Sequence, residues 1–220
     1  MTVDLETSLG ELVRKRPASA KVLARFDLDY CCGGRRSLRE ACDERGLDAA
    51  TVAVFLAHDP EPVALEPTDW AAAPVPALCA HIVDEHHARM RWELPRMSDL
   101  AERAASAHGD VRPELHEVRD ELARLREELM EHMDDEERTL FPGLVAGGTV
   151  PADELEELIG EHDSAGARLR RLRELAGGYD LEAALCNTHR ALLEGLHGLE
   201  LDLHQHVHEE NNILFPRVAA

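Results

Sequence analysis

Residues 132–142 read HMDDEERTLFP, and residues 206–216 read HVHEENNILFP. In both stretches a histidine is followed four positions later by a glutamate and then by Leu-Phe-Pro, and the two copies lie 74 residues apart. Side chains at positions i and i+4 share one face of an α-helix. The repeat therefore predicts two related helices, each presenting one imidazole and one carboxylate to the same region of the fold.

Both copies lie within long amphipathic segments, which predict helices over residues 77–107, 113–140, 151–176 and 180–214. Apolar residues recur in each segment at alternating steps of three and four, the spacing of a helix with one buried face. Pro95 lies inside the first segment, where we expect a kink rather than an end. Four such helices with short connections predict an all-α fold built on an antiparallel four-helix bundle.

Every apolar stripe contains a histidine at a core position, and two stripes add a glutamate one turn later. The six residues are His87, His132, Glu136, His162, His206 and Glu210. Burying these groups without partners would cost several kcal/mol for each one, and bound cations would remove that cost. We therefore predict a binuclear metal site, in which the two glutamates bridge and each ion has two histidines.

The ligand types also indicate the metal. Imidazoles and carboxylates without a thiolate favour iron or manganese, allow zinc and fit calcium poorly. Such a site keeps positions open for small diatomic ligands. Each signal alone has a simpler reading, because a single His-x3-Glu is usually a solvated pair and a single core histidine usually packs and hydrogen-bonds. His86 competes with His87 for the first position, and the stripe selects His87.

The other histidines of the long segments are interpreted outside the ligand set. His108 and His189 fall on the stripes but away from the predicted ligand level, and His108 is a candidate for an access path. The off-stripe histidines are interpreted as surface residues: His81, His86, His116, His197, His204 and His208. Glu161 is a candidate outer group of the site that relays protons or helps ions enter, although a solvated residue is the simpler interpretation.

Composition excludes several classes of protein. The chain has 220 residues and a formal charge of −20, which repels nucleic acid. Its two Trp, two Tyr and four Phe are too few to favour a β-sandwich or barrel. Five cysteines argue against a disulfide scaffold. Neither a signal peptide nor a membrane span is expected, so we predict a cytoplasmic protein without membrane or nucleic-acid partners.

Prolines at positions 60, 62, 67, 74 and 76 predict a linker over residues 60–76. The linker separates a small helical domain, residues 1–59, from the bundle, residues 77–220. The small domain contains Cys31 and Cys32 directly before a Gly-Gly pair. A disulfide between adjacent cysteines is strained and not expected. The two thiols are either exposed groups that meet a metal or another thiol, or small buried residues that close a helix.

The motifs of both segments are similar to those of a known family. DYCCGG at residues 29–34 resembles the hallmark of the ScdA-type amino-terminal domain. HMDDEE at 132–137, EHD at 161–163 and ENNILFP at 210–216 resemble a haemerythrin-like domain. Together they resemble the repair-of-iron-centres family of YtfE/ScdA-type di-iron proteins over essentially the whole chain. The resemblance implies two iron ions with an oxo or hydroxo bridge, rather than Mn or Zn, held by the six residues named above.

The resemblance also implies a function, the repair of iron–sulfur clusters damaged by nitric oxide or oxidative stress. The site would donate iron, reduce nitric oxide, or do both, and Cys31 and Cys32 would hand over iron or electrons. Damaged iron–sulfur proteins or a scaffold would be the clients, nitric oxide or oxygen the small ligand, and a homodimer is one possible assembly. The alternative is a non-catalytic haemerythrin-like sensor or store of oxygen or nitric oxide.

Overall fold

The computed structural model of the chain describes residues 3–58 and 69–220. Their regular structure is helical apart from two isolated bridges, which confirms the predicted all-α fold class. Within these residues no helix is long and apolar enough to cross a lipid bilayer. Residues 60–68 of the predicted linker lie outside the described residues, as do residues 1–2 and 59 of the predicted small domain.

Four short helices form the amino-terminal module, defined here as residues 3–58. They are α1 (Leu9–Lys15), α2 (Ser19–Arg25), α3 (Leu38–Glu44) and α4 (Ala49–His58). Ser8 Oγ accepts the Glu11 N–H at 3.3 Å and begins α1. Ser37 and Glu40 form a reciprocal capping box at the start of α3. The helices bury a small apolar core that includes Leu9, Val13, Leu23, Leu38, Val52 and Leu56.

The rest of the described chain forms a bundle of four long helical rods. The first rod consists of α5 (Val75–His81), a π-helical segment (Ile82–His87) and α6 (Ala88–His108). The second consists of α7 (Glu114–Asp135), a π-helical segment (Glu136–Leu140) and α8 (Phe141–Val145), and the third is α9 (Ala152–Leu175). The fourth consists of α10 (Asn187–Glu209), a π-helical segment (Glu210–Leu214) and α11 (Phe215–Val218). Helix α6 contacts α7 and α10, and α9 contacts the same two helices from the opposite side. The four helices therefore enclose one core.

That core consists of the apolar stripes. Its largest buried residues include Met90, Leu94, Met97, Leu122, Leu125, Leu169, Leu172, Leu192 and Leu196. Each buried side chain of this size contributes about 1.5–3 kcal/mol relative to an exposed one. Helix α6 continues through Pro95 to His108. The expectation that the proline would not end the helix is therefore met.

The fourth rod begins at Asn187, so the predicted start at residue 180 is wrong. Short 3-10 turns occupy most of residues 177–183 instead. The Asp180 carboxylate accepts a backbone N–H of the second turn at 2.9 Å. Cys186 Sγ accepts the His189 N–H at 3.4 Å and begins α10. These side-chain caps compete with a continuous helix, which a stripe of apolar residues does not reveal.

An apolar cluster closes the end of the bundle beyond the two repeated motifs. It contains Leu78, Ile82, Leu140, Phe141, Leu144, Ile213, Leu214, Phe215 and Val218. Val150 joins this cluster, and its N–H donates to the Val218 carbonyl at 2.8 Å. The Leu-Phe-Pro end of each motif copy therefore has a structural role, because its Leu and Phe pack in this shared apolar cluster.

The amino-terminal module packs against the rod that carries the second motif copy. Asn212 Nδ2 donates to the Cys31 carbonyl at 3.2 Å. The Tyr30 ring meets the rings of His204 and His208 edge-on, with centroids 5.9 and 5.8 Å apart. These contacts bring the predicted thiol pair to the side of the bundle.

Gly34 lies where the module packs closely against Asn212, so we expect Gly34→Ala to loosen this packing. A Cβ there would overlap the Tyr30 carbonyl oxygen and lie 2.7 Å from Asn212 Oδ1. We predict a loss of about 1–3 kcal/mol of unfolding free energy and faster reaction of Cys31 with a thiol reagent. Gly198→Ala is the control, because a Cβ there meets nothing within 4 Å. Equal stability and thiol reactivity in the two variants would contradict the packing argument.

Candidate metal centre

The structure places all six predicted ligands at one level of the bundle. His87 ends the first π-helical segment, and Glu136 and Glu210 begin the other two. His132 and His206 lie one turn before these glutamates, and His162 lies in α9. None of the six residues is more than 7% exposed. Two rods contribute residues from their first half, and the other two contribute residues from near their end. These residues meet because neighbouring rods are antiparallel.

The six side chains form two groups of four that share both glutamates. One group is His87, Glu136, His206 and Glu210, and the other is His132, Glu136, His162 and Glu210. In each group the potential ligand atoms lie within 4.8 Å of one another. Each group has two histidines of its own and shares both carboxylates with the other group. This is the donor pattern expected for a bridged pair of ions.

Each glutamate contacts the Nε2 atoms of two histidines. The distances are 3.3 Å from Glu136 Oε2 to His87, 3.4 Å from Glu136 Oε2 to His132, 3.1 Å from Glu210 Oε2 to His162 and 2.9 Å from Glu210 Oε1 to His206. The Nε2 atoms of His132 and His162 also lie 3.1 Å apart. All four imidazoles therefore turn the same ring nitrogen toward the centre.

Three of the four histidines have an outer partner on Nδ1. These pairs are His87 with Glu137 at 2.9 Å, His132 with Glu161 at 2.7 Å and His162 with Asn211 at 2.8 Å. Such partners fix the tautomer and the ring orientation of metal-binding histidines. Among the described residues, His206 Nδ1 has no hydrogen-bond partner.

Unpartnered buried atoms at the centre test whether the residues suit a metal. Both carboxylate oxygens of Glu136, Oε2 of Glu210 and Nε2 of His87 have no hydrogen-bond partner among the described residues. Buried polar atoms are rarely left in this state, because each costs free energy unless something binds it. Neutral imidazoles and carboxylates are ligands of first-row transition metals. The residues therefore fit bound cations.

Charges inside the centre shift the pKa values of its groups in the metal-free chain. Burial lowers the pKa of His132, but the charge of Glu136 and the bond to Glu161 outweigh it and raise that pKa to about 9. Burial alone would raise the pKa of Glu210, but the charge of His206 and the neighbouring imidazole bonds hold it well below its ordinary value. At neutral pH the metal-free centre therefore holds the Glu210 carboxylate and at least one extra proton, on His132.

Comparison with known proteins agrees with this arrangement. The family model described as Hemerythrin HHE cation binding domain matches residues 80–218, and ScdA_N, described as Domain of Unknown function (DUF542), matches residues 5–59. The protein named iron-sulfur cluster repair protein YtfE of Musicola paradisiaca is 38% identical over 214 residues, which cover 96% of both chains. The chain belongs to the YtfE family. The resemblance seen in the sequence is thereby confirmed.

Two further YtfE relatives support this assignment. The protein of the same name from Pectobacterium carotovorum is 35% identical over 219 residues, covering 96% of each chain. That from Yersinia pseudotuberculosis is 35% identical over 212 residues, covering 96% of this chain and 95% of its own. The match is therefore to whole proteins with both segments in the same order.

In this YtfE-family chain the repeat extends further than its ligands. Phe141 N–H bonds the Glu136 carbonyl and Phe215 N–H bonds the Glu210 carbonyl, five residues back in each case. These π-type bonds are rare and concentrate at functional sites. The Phe141 ring stacks on His87 and the Phe215 ring stacks on His162, each with centroids 5.8 Å apart.

The outer partners follow the same internal symmetry. Glu137 and Asn211 each directly follow one of the two shared glutamates, and each bonds the Nδ1 atom of a histidine from another rod. Neither these outer partners nor the stacking phenylalanines are predicted as site residues from the apolar stripes. Their equivalent places in the two motif copies are the signal that could have found them.

A cavity of about 380 Å³ lies against one side of the centre. Its lining includes His132, His162 and His206. Four carboxylates also line it: Glu128, Glu131, Asp135 and Glu161. The Glu161 side chain is 59% exposed while its carboxylate contacts His132, so this residue links the cavity to the solvent. A passage lined by carboxylates attracts cations.

The thiol pair lies beside the centre rather than on an open surface. Cys31 is buried, so of the two interpretations left open for the thiols the exposed one does not hold for this residue. Cys31 Sγ lies 3.1 Å from Asp29 Oδ1 and 4.0 Å from Cys32 Sγ. Cys32 is half-buried, and its Sγ lies 3.5 Å from the His162 carbonyl oxygen. The pKa of Cys31 is raised well above its ordinary value by the hydrogen bond to Cys32, by burial and by nearby negative charge.

Two histidines interpreted as surface residues are buried. His86 is 6% exposed and packs between the first and fourth rods, and His208 is 1% exposed beneath the amino-terminal module. An apolar stripe marks only the face of a helix that points toward the bundle axis. It misses burial that a second element provides from outside, such as Tyr30 over His208.

Proposed function

We propose that the chain repairs iron–sulfur clusters damaged by nitric oxide or oxidants, using a non-haem di-iron centre. His87, His132, His162 and His206 would bind the ions, and Glu136 and Glu210 would bridge them. The sharing of both glutamates between two four-residue groups is the observation that carries the proposal. The names of the YtfE relatives support the repair function. The cytoplasm is the proposed location, and damaged iron–sulfur proteins are the proposed clients.

The residues around the centre suit the release of a bound metal ion. The carboxylates of the cavity would attract a cation as it leaves the centre. The exposed side chain of Glu161 would move while its carboxylate keeps the hydrogen bond to His132. When bound, a ferrous pair supplies two electrons, which is the number that reduces two molecules of nitric oxide to one of nitrous oxide. Iron donation, nitric oxide reduction or both are therefore compatible with repair.

An anaerobic transfer assay tests this function. Protein loaded with ferrous iron is mixed with an apo-ferredoxin and sulfide, and cluster formation is followed by absorption; a parallel sample receives nitric oxide, and nitrous oxide is measured. We expect iron transfer, stoichiometric nitrous oxide, or both. A stable and reversible nitric oxide adduct with neither product would contradict repair and favour a sensor or store.

The double substitution Cys31→Ser and Cys32→Ser is expected to separate transfer from metal binding. Neither sulfur lies among the two groups of metal-centre ligand atoms, so iron content should stay unchanged. Transfer to the apo-ferredoxin should slow several-fold, because Cys32 is the half-buried thiol beside His162. Metal analysis and the transfer assay measure the two effects. Loss of both irons would show that the thiols belong to the metal centre.

Acid is expected to release the metal. Imidazoles bind metal only when neutral, and the pKa of His132 is raised to about 9 in the metal-free chain. At neutral pH the ion must therefore displace a proton, so affinity falls as the pH decreases, by about tenfold per unit for each displaced proton. Dialysis against a metal buffer between about pH 6 and about pH 8 measures this effect. Iron content that is constant over this range would contradict ligation by neutral imidazoles.

A further inference from the structure

A second histidine–carboxylate cluster lies outside the six residues of the centre. His81, His86 and Glu209 each offer one potential ligand atom, and these three atoms all lie within 4.8 Å of one another. Glu209 Oε2 is 3.2 Å from His81 Nε2 and 3.5 Å from His86 Nε2. Two imidazoles and one carboxylate facing a common point form a frequent donor set for divalent transition metals.

Two of these three atoms are buried and lack hydrogen bonds. The side chains of His86 and Glu209 are 7% and 4% exposed. Neither His86 Nε2 nor Glu209 Oε2 has a hydrogen-bond partner among the residues that the structure describes. Their separation is an ion-pair distance without hydrogen-bond geometry. Because His86 donates its Nδ1–H to Asp202, its Nε2 carries a lone pair, so two buried acceptors face each other here and a cation between them satisfies both.

The other polar atoms of His86 and Glu209 have partners outside the cluster. His86 Nδ1 lies 3.2 Å from Asp202 Oδ1, and Gln205 Nε2 donates to Glu209 Oε1 at 2.9 Å. This arrangement leaves the unbonded atom of each side chain directed inward, as outer partners do for metal ligands. The ring of Trp70 stacks on the His81 ring with centroids 4.0 Å apart and holds it at the rim.

The internal symmetry of the bundle shows that this cluster is not part of the main centre. Residues 86 and 161 each directly precede a ligand histidine. Glu161 bonds the Nδ1 atom of His132, whereas His86 makes no such bond to His206 and instead stacks on its ring, with centroids 5.4 Å apart. His86 therefore faces away from the main centre, toward Glu209.

We propose that His81, His86 and Glu209 bind one divalent first-row transition-metal ion, with zinc as the representative ion. Zinc bonds of about 2.0–2.1 Å in a tetrahedron place neighbouring ligand atoms about 3.3 Å apart. The two measured separations from Glu209 Oε2, 3.2 and 3.5 Å, are close to that value. Solvent completes the coordination on the side of His81, the more exposed of the two histidines. Asp202 is a positioning residue that orients His86.

Cobalt(II) and zinc titrations test the site in the full-length protein. Wild type, Glu209→Gln and His86→Phe are compared after equilibrium dialysis, with cobalt, zinc and iron counted in each sample. Glutamine keeps the size of Glu209, and phenylalanine keeps the ring that stacks on His206. His116→Gln, which changes an exposed histidine, is the matched control. We expect wild type and the control to bind one ion more per chain than the other two variants.

Two independent readouts accompany the count. In a Trp92→Phe background Trp70 is the remaining tryptophan of the two, and cobalt bound at His81 should quench its fluorescence. Asp202→Asn should weaken the extra site about 10–100-fold, as expected for the loss of an outer partner. Equal metal counts in wild type and Glu209→Gln, or unchanged quenching in that variant, would overturn the proposal. The comparison is a difference between variants, so it holds whatever the content of the main centre.

Discussion

Glu136→Ala is expected to reduce the iron content from two ions per chain to less than one. Its carboxylate belongs to both four-residue groups, so its removal takes a ligand from both proposed ions at once. His132→Ala, in contrast, removes a ligand from one group and should lose one ion. Metal analysis of protein purified without oxygen gives both values. The near-ultraviolet absorption of the oxidised protein should decrease in parallel.

The control for this experiment is Glu117→Ala on the same rod. Glu117 is exposed, and its contact is an ion pair with Arg171 at 3.0 Å, far along the helix from the centre. Circular dichroism checks that all variants remain helical. Two irons per chain in Glu136→Ala would refute the bridging role, and equal losses in Glu136→Ala and His132→Ala would refute the division into one shared and one private ligand.

The fold could be predicted because its main signal is local. The steps of three and four in the apolar stripes fix which face of each rod is buried, and residues such as Leu94, Leu122 and Leu196 are buried as that rule requires. The start of the fourth rod could not be predicted in this way. It depends on side-chain caps at Asp180 and Cys186, which compete with the helix over a few residues.

The convergence of the six site residues could be predicted for the same reason, since all six lie on the apolar stripes. What the stripes could not show is the environment outside them. The π-helical segment Ile82–His87 carries two adjacent buried histidines, one toward the centre and one toward Asp202 and Glu209. A regular helical period assigns only one of two neighbours to the buried face, so His86 was interpreted as a surface residue.

The internal repeat carries more information than either ligand motif alone. Glu137 and Asn211 hold the Nδ1 atoms of histidines from other rods, and Phe141 and Phe215 cover histidine rings from the closed end. The positions of both pairs are the same in the two copies. A two-fold pattern of this kind explains why the buried histidines and glutamates form two equivalent four-residue groups instead of one.

Removing the metal is expected to lower the melting temperature by about 10 °C. A ligand that binds only the folded state at about 1,000 times its Kd adds about 4 kcal/mol, and 1 kcal/mol shifts the melting temperature of a chain of this size by about 2–4 °C. Without metal, the buried carboxylate oxygens of Glu136 have no hydrogen-bond partner among the described residues, and the Nε2 atoms of His132 and His162 face each other at 3.1 Å. Scanning calorimetry before and after anaerobic chelation measures the shift.

The Glu136→Ala variant shows whether the shift arises at the centre. Its melting temperature should already be close to that of the chelated wild type, and chelation should change it little. Glu209→Gln should keep most of the shift, because its carboxylate is not a member of either group that shares Glu136. A wild-type melting temperature that does not respond to chelation would mean that the buried acids and imidazoles satisfy one another without an ion. Re-addition of ferrous iron should restore the original value, since the effect is one of binding linkage rather than irreversible unfolding.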